Sequence, residues 1–527
     1  YDAYKKDMTA GTYPDVRSGL QKLLKDGLLL FNYTGHGGTT ALSDEKVLTQ
    51  TDINQFTYTH LPVWVTATCD FTRFDDLNTS AGEDVFLNKS SGGIALFTTV
   101  RVAYSRPNFP INDNVIRNLF ERNNGRRRTL GEVMQATKNT LSSVYKLGFC
   151  LIGDPAVKIA YPEFGMKVTT VNGQSVDGNS ISFKALEKIT VEGEVLDASG
   201  QLVTDFTGIV NPTVKDSKVT VTCLKNSNKD DSPAFTFTDY PNTIFIGNDS
   251  VRNGKFSFTF TVPKDISYSN LQGKMNLYAV DTESGNEAQG NFDNFIVGGT
   301  SDTAETDTIG PEIRALYLND TTFVDGGQVN TTPYFVAELW DKSGVNITGS
   351  SVGHDMMLVI DESTVLSYNL NSYYELLPGE DGTGIVKFPI PALEPGKHTA
   401  EFWVWDILNN STVRTFTFEV VEGLKPFLFD VIATPGIARE QVTFHLMHNR
   451  PESRMRVGIM VYDLAGRQLW KHEESGTSGL FENYTVSWDL TSGGARMRPG
   501  VYIYRAAIST DNSKDATKAR KFIILGE

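Results

Sequence analysis

Residues 27–70 read GLLLFNYTGHGGTTALSDEKVLTQTDINQFTYTHLPVWVTATCD. Two apolar, β-type runs in this stretch each end in a reactive side chain. Residues 28–33 lead into His36, inside Gly35-His36-Gly37-Gly38, and residues 62–68 lead into Cys69. A strand ending in a glycine-flanked histidine, beside a strand ending in cysteine, brings a thiol and a base together on an α/β sheet. The thiolate is the attacking species and needs a base, and an imidazole supplies one near neutral pH. Gly37 and Gly38 carry no side chains, so the backbone there can approach a substrate carbonyl. The N–H of Gly37 and that of Cys69 can then form an oxyanion hole. The same residues read equally as a cysteine closing a buried strand and a histidine in a glycine turn.

Working outward, residues 1 to about 163 alternate helical and extended patterns. Residues 16–25 place Val16, Leu20, Leu23 and Leu24 at helical spacing;. Ser43 reads as the N-cap of a short helix opening at Asp44. Residues 93–100 read as a further strand, residues 111–120 and 130–145 as amphipathic helices. Residues 149–153 lead through Gly153-Asp154-Pro155 to a last strand over 156–160. Such alternation predicts a parallel α/β sheet, with active residues at the carboxyl ends of its strands. Beyond Tyr161-Pro162 the period changes to two, as in Phe256-Ser257-Phe258-Thr259-Phe260-Thr261-Val262. Short strands between Asn-, Gly- and Asp-rich turns predict β-sandwiches. The divisions expected are 1–163, 164–300, 301–423 and 424–527, with a linker at residues 298–310, GGTSDTAETDTIG;.

At 527 residues the chain is too long for one core;. Its 48 Lys and Arg against 63 Asp and Glu leave a net charge of −15. Phosphate binding needs a basic face, so no nucleic-acid partner is expected. The one dense basic run, Arg126-Arg127-Arg128, reads as a solvated edge. Cys69, Cys150 and Cys223 are odd in number and far apart, which suits neither a disulfide framework nor a zinc site;. No cofactor and no metal is expected. No apolar run approaches the roughly 20 residues of a membrane helix. The Gly-, Thr-, Asn- and aromatic-rich composition suits an exported or surface protein. Tyr1 does not read as a natural start, so an upstream part of the first domain is expected.

The two hydrophobic blocks, one before His36-Gly37 and one before Ala67-Thr68-Cys69, resemble the caspase/gingipain clan of cysteine peptidases. The wording Asn32-Tyr33-Thr34-Gly35-His36-Gly37-Gly38 and the closing Leu151-Ile152-Gly153-Asp154-Pro155-Ala156 are similar to the gingipain family, C25, over residues 1–162. The resemblance implies an N-terminally incomplete, caspase-like α/β domain followed by three Ig-like β-sandwich modules. It implies Cys69 as nucleophile, His36 as base and the Gly37 and Cys69 N–H groups as oxyanion donors. It also implies substrate contacts from Gly38, Asp70 and Phe71, with a specificity loop over 71–76. The family's domain extends further upstream, so the acid that orients His36 is expected before Tyr1. Asp70 is a poor candidate for it, because adjacent side chains on an extended strand point opposite ways.

At the other end, Val461-Tyr462-Asp463-Leu464-Ala465-Gly466-Arg467 and Pro499-Gly500-Val501-Tyr502-Ile503-Tyr504 resemble the C-terminal β-domain of type IX secretion substrates. The combination is similar to the sortase of that system, which removes C-terminal signal domains from cargo and can transfer the cargo to an anchor. This implies a bacterial outer-membrane or cell-surface location, held peripherally through partners. The implied partners are cargo proteins with C-terminal sorting domains, and an outer-membrane secretion component docked through residues 424–527. Two other readings stay open: a secreted gingipain-like protease carrying its own sorting domain, and a non-enzymatic adhesin of stacked sandwiches.

Weaker signals have plainer readings. Gly349-Ser350-Ser351-Val352-Gly353, beside His354 and Asp355, has the spelling of a serine-hydrolase elbow but sits in a β-rich segment without the required strand–turn–helix. His60 reads as a surface residue. Asp302, Asp307 and Asp341 lie in turn-rich segments without a calcium-loop pattern.

Overall fold

The computed structural model describes residues 2–89, 91–103, 105–122, 125–226, 233–301, 307–349, 353–377, 382–510 and 513–526. Its first segment is built on a four-stranded sheet. α1 (Pro14–Asp26) opens it on Pro14, whose fixed φ suits a first helical turn;. β1 (Leu30–Thr34) follows. A small meander comes next: β2 (Gly37–Gly38), β3 (Ala41–Leu42) and β4 (Leu48–Thr49), running into α2 (Gln50–Gln55). Then come β5 (Val63–Ala67), α3 (Ala81–Leu87), β6 (Ala95–Thr99), α4 (Ser105–Phe120), α5 (Leu130–Thr140) and β7 (Phe149–Ile152).

The sheet order is β1-β5-β6-β7, with the first three strands parallel and β7 antiparallel at the edge. Every residue of β5 and β6 is buried. Strands buried on both faces read as continuous apolar runs, which is why VWVTA and ALFTT show no alternation. Successive side chains still go to opposite faces. Val63, Val65 and Phe97 pack against Ile111, Val115, Leu119, Leu130 and Val133 of α4 and α5. Trp64, Phe31 and Leu96 pack against Leu24, Ile53 and Val85 of α1, α2 and α3.

Three sequence expectations need correction here. Ser43 does not cap a helix: it has φ +60° and lies in a turn, and the helix begins at Gln50. Thr49 is the N-cap, and Asp52 returns its carboxylate to the Thr49 N–H at 2.8 Å, completing a capping box;. Residues 156–160 form no strand. Asp154 bonds the Ala156 N–H at 2.8 Å, and the carbonyls of Pro155 and Val157 take up N–H groups at the start of α5. The helix expected over 130–145 ends at Thr140, and Val144–Gly148 is a separate 3-10 turn.

The remaining chain is almost entirely β, in three successive sets of sheets with their own cores. In the first, strands such as Lys188–Leu196 and Lys255–Thr261 pair antiparallel in a nine-stranded sheet. Phe256, Phe258 and Phe260 are turned inward, against Phe183 and Phe295 of a three-stranded sheet. In the second, a four- and a five-stranded sheet face each other across Phe335, Val386, Phe402 and Phe418. The third pairs a three- with a five-stranded sheet around Phe444, Trp488, Tyr504 and Phe522. Residues 302–306 of the expected linker and residues 350–352 of the elbow-like spelling lie outside the described residues.

The β segments fold back on the first one. The Asp2 carbonyl and carboxylate receive backbone N–H groups of Leu224, Lys225 and Asn226. Lys25 lies 3.5 Å from Glu452, and Lys22 stands over the Tyr373 ring.

Candidate active site

Parallel pairing sets the site. In the β1/β5 register Thr34 stands opposite Ala67. His36 and Cys69 are each two residues beyond that pair, so they leave neighbouring strands at the same level, at the carboxyl edge of the sheet. His36 is exposed and Cys69 half-buried. The Cys69 thiol donates to the Ala103 carbonyl at 3.1 Å.

The glycines beside His36 are required by close packing. A Cβ on Gly37 would fall 2.4 Å from Thr68 Oγ1, and a Cβ on Gly35 would fall 2.8 Å from the Tyr33 hydroxyl. The hairpin of β2 and β3 therefore lies directly on the end of β5. Ser43 N–H donates to the His36 carbonyl at 2.8 Å, which makes residues 36 and 43 a hydrogen-bonded pair. Bonded and non-bonded pairs alternate in an antiparallel ladder. Gly37 and Leu42 are thus a non-bonded pair, and the Gly37 N–H points away from β3. Among the described residues, nothing accepts the Cys69 N–H.

The turn after Cys69 is tied to β6. Thr98 Oγ1 bonds both Thr66 Oγ1 at 2.7 Å and Thr72 Oγ1 at 2.8 Å, all three buried. Asp70 and Thr72 donate their N–H groups to the carbonyls of Arg101 and Thr99. Arg101 holds Asp75 with two nitrogens, at 3.0 and 2.6 Å.

Of the other expected site residues, Gly38 sits at the hairpin end with open space at its Cβ position. Asp70 lies 3.6 Å from Arg73. Phe71 does not reach a substrate: it is fully buried beside Trp64 and Val85, because the Thr72–Thr99 bond turns the chain back over the core. His60 is exposed, against Gly27.

Sequence reasoning missed Tyr33 and Asn108. Tyr33 donates its hydroxyl to the His36 carbonyl at 2.6 Å, and Asn108 of α4 donates its amide to the Thr68 carbonyl at 3.3 Å. Tyr33 lies in β1, where a tyrosine suits strand patterning;. Asn108 is far along the chain, and nothing near it in sequence marks it.

Elsewhere, His354 meets Asp265 through Nδ1 at 2.6 Å, and Asp355 accepts from Asn371. Asp307 and Asp341 come together with Asp406, their oxygens within 4.8 Å of one another. Burial, and then the neighbouring carboxylates, push Asp341 up to about 6. Its Oδ1 accepts the Ser343 and Gly344 N–H groups, and Asp406 is satisfied by Leu408 and Asn410. Asp302 lies outside the described residues.

Residues 1–160 match the family model of peptidase family C25. Among solved structures, the chain is similar to dimeric latent PorU from Porphyromonas gingivalis at 37% sequence identity, over 78% of this chain and 39% of that one, with a TM-score of 0.34. It is also similar to the complex of the pro- and mature domains of RgpB from Porphyromonas gingivalis, at 19% identity over 53% and 57% of the two chains, TM-score 0.26. A third similar structure, chicken CNTN1 FN1-FN3 domains, has 8% identity over 69% and 98%, TM-score 0.15. The chain spans 39% of the PorU chain it matches. No curated protein matches it. A histidine and a cysteine each follow the ends of adjacent parallel strands by two residues, and the match to peptidase family C25, the gingipain-type cysteine peptidases, runs the length of this α/β sheet.

Proposed function

We propose that this chain is part of a cell-surface cysteine endopeptidase and transpeptidase that removes C-terminal signal domains from type IX secretion cargo. The observation that supports the chemistry is the β1/β5 register, beyond whose last pair His36 and Cys69 each follow by two residues. The cargo assignment rests on the tail-like stretches at 461–467 and 499–504, and on a chain organised as one caspase-like segment and three Ig-like modules bounded near 163, 300 and 423.

In this mechanism the Cys69 thiol leaves the Ala103 carbonyl and gives its proton to the His36 imidazole. The thiolate sulfur bonds to the cargo carbonyl carbon, and the π electron pair moves to oxygen. The N–H groups of Gly37 and Cys69 hold that oxyanion. Collapse breaks the C–N bond, and His36 returns the proton to the leaving amine. The resulting thioester is resolved by water, giving hydrolysis, or by an amine, giving transfer. Residues 424–527 dock an outer-membrane partner and keep the enzyme peripheral to the membrane; among the described residues no helix is long and apolar enough to cross one.

The test is the full-length gene and its Cys69→Ala variant in the native host. Loss of cargo-tail removal in the variant is expected, and normal processing would sink the reading. Retention of residues 424–527 on the mature protein separates a sortase from a secreted protease that sheds its own tail.

A further inference from the structure

Each of the two oxyanion donors shares a peptide unit with a carbonyl that another residue's side chain holds. A trans peptide is planar, with its C=O and N–H directed oppositely, so fixing the oxygen also fixes the hydrogen. The Gly37 N–H shares its unit with the His36 carbonyl, which accepts from the Tyr33 hydroxyl at 2.6 Å and the Ser43 N–H at 2.8 Å. Burial, and then the charges of Glu45 and Asp44, push the Tyr33 phenol up to about 12, so it remains a donor at neutral pH. The Cys69 N–H shares its unit with the Thr68 carbonyl, which accepts from Asn108 Nδ2 at 3.3 Å.

Asn108 is an expensive residue for its place. It is 4% exposed on α4, and among the described residues its Oδ1 has no hydrogen-bond partner. An apolar side chain would avoid that unpaired acceptor, so the amide has to be explained by its donor end. Among the described residues that end has one acceptor, the carbonyl behind the Cys69 N–H. Tyr33 is placed comparably: its ring fills the space that a side chain at residue 35 would need.

We propose that Tyr33 and Asn108 are positioning residues for the oxyanion hole, each holding a peptide plane from behind so that the Gly37 and Cys69 N–H groups stay aimed at the reacting carbonyl. This rests on the reading of Cys69 and His36 as nucleophile and base. Neither residue touches substrate. One acts from β1 on the histidine loop, the other from α4 on the cysteine turn, so the hole is braced by two separate elements.

The test uses the full-length protein, with Tyr33→Phe, Asn108→Leu and Cys69→Ala variants. The probe is a fluorogenic peptide spanning a cargo cleavage junction. Thiol reactivity is read separately, as the rate and pH profile of Cys69 alkylation by iodoacetamide, a reaction that forms no oxyanion. Each positioning variant is expected to lose roughly 10- to 100-fold in kcat with KM little changed, while alkylation stays within about twofold of the parent and keeps its pH profile. Unchanged kcat in both variants, or alkylation falling in step with kcat, overturns the proposal. Should Asn108→Leu fail to fold, Tyr33→Phe decides alone, since it removes a single oxygen. Turnover that survives in Cys69→Ala shows that the underlying reading has failed. An inactive Cys69→Ala beside two fully active positioning variants shows that only this inference has.

Discussion

At residue 37 the space for a side chain is already taken by Thr68. Gly37→Ala would press its Cβ to 2.4 Å from Thr68 Oγ1 and 3.2 Å from Cγ2, so the hairpin must lift off the end of β5. The expected result is at least a tenfold loss of kcat/KM. Thr68→Ala clears both atoms, and because Thr68 Oγ1 has no hydrogen-bond partner among the described residues, that change alone costs little polar satisfaction. The double variant should recover part of the lost activity. Such coupling is measured by a double-mutant cycle, and additive losses would mean that Gly37 matters for another reason.

Among the elements, the flap over 70–76 depends on β6 more than on its own sequence. Its backbone donates to Thr99 and Arg101, and its tip is held by the two-nitrogen grip of Arg101 on Asp75. An exposed pair of this kind adds little to global stability, but it orders the segment it joins. Arg101→Ala should raise deuterium uptake across 73–76 while β5 and β6 stay protected; equal uptake in parent and variant would show the pair to be idle. The same contrast explains what was legible in the sequence. β5 and β6 are visible because strands buried on both faces read as largely apolar runs without alternation, and Cys69 stands out at the end of one such run, His36 in the glycine turn after β1;. The helix misplaced at Ser43 shows the limit: a Ser-Asp-Glu-Lys string suits a cap and a turn equally, and Thr49 with Asp52 provides the better box six residues on. Phe71 reads as accessible next to a nucleophile, and only the tertiary path of the chain buries it. Asn108 acts across a helix–strand contact, which leaves no periodic trace.

Across the molecule, acid should weaken the last β segment. His448 is tucked between Arg450, whose N–H its Nδ1 accepts at 3.1 Å, and Ser478, whose Oγ meets Nε2 at 2.8 Å. Both bonds suit the neutral ring with its proton on Nε2. Burial, and then the Arg450 charge, hold its pKa down at about 4, against about 6.5 in an unfolded chain. The unfolded state therefore takes up the proton first. The contribution is intact above about pH 6.5 and is lost as pH falls from there toward 4, on the order of 3 kcal/mol when complete. Thermal unfolding followed at pH 7 and pH 5 should show the difference, and His448→Gln should flatten it. In the proposed mechanism the oxyanion donors are backbone groups rather than side chains. Replacing the cysteine removes the reaction but leaves both donors, their braces and the histidine loop standing. Cys69→Ala is then a trap: a protein that grips its substrate and cannot release it as product. Cross-linked in living cells, it should bring down its native substrate with the scissile bond unbroken, turning a dead enzyme into the means of finding what the live one cuts.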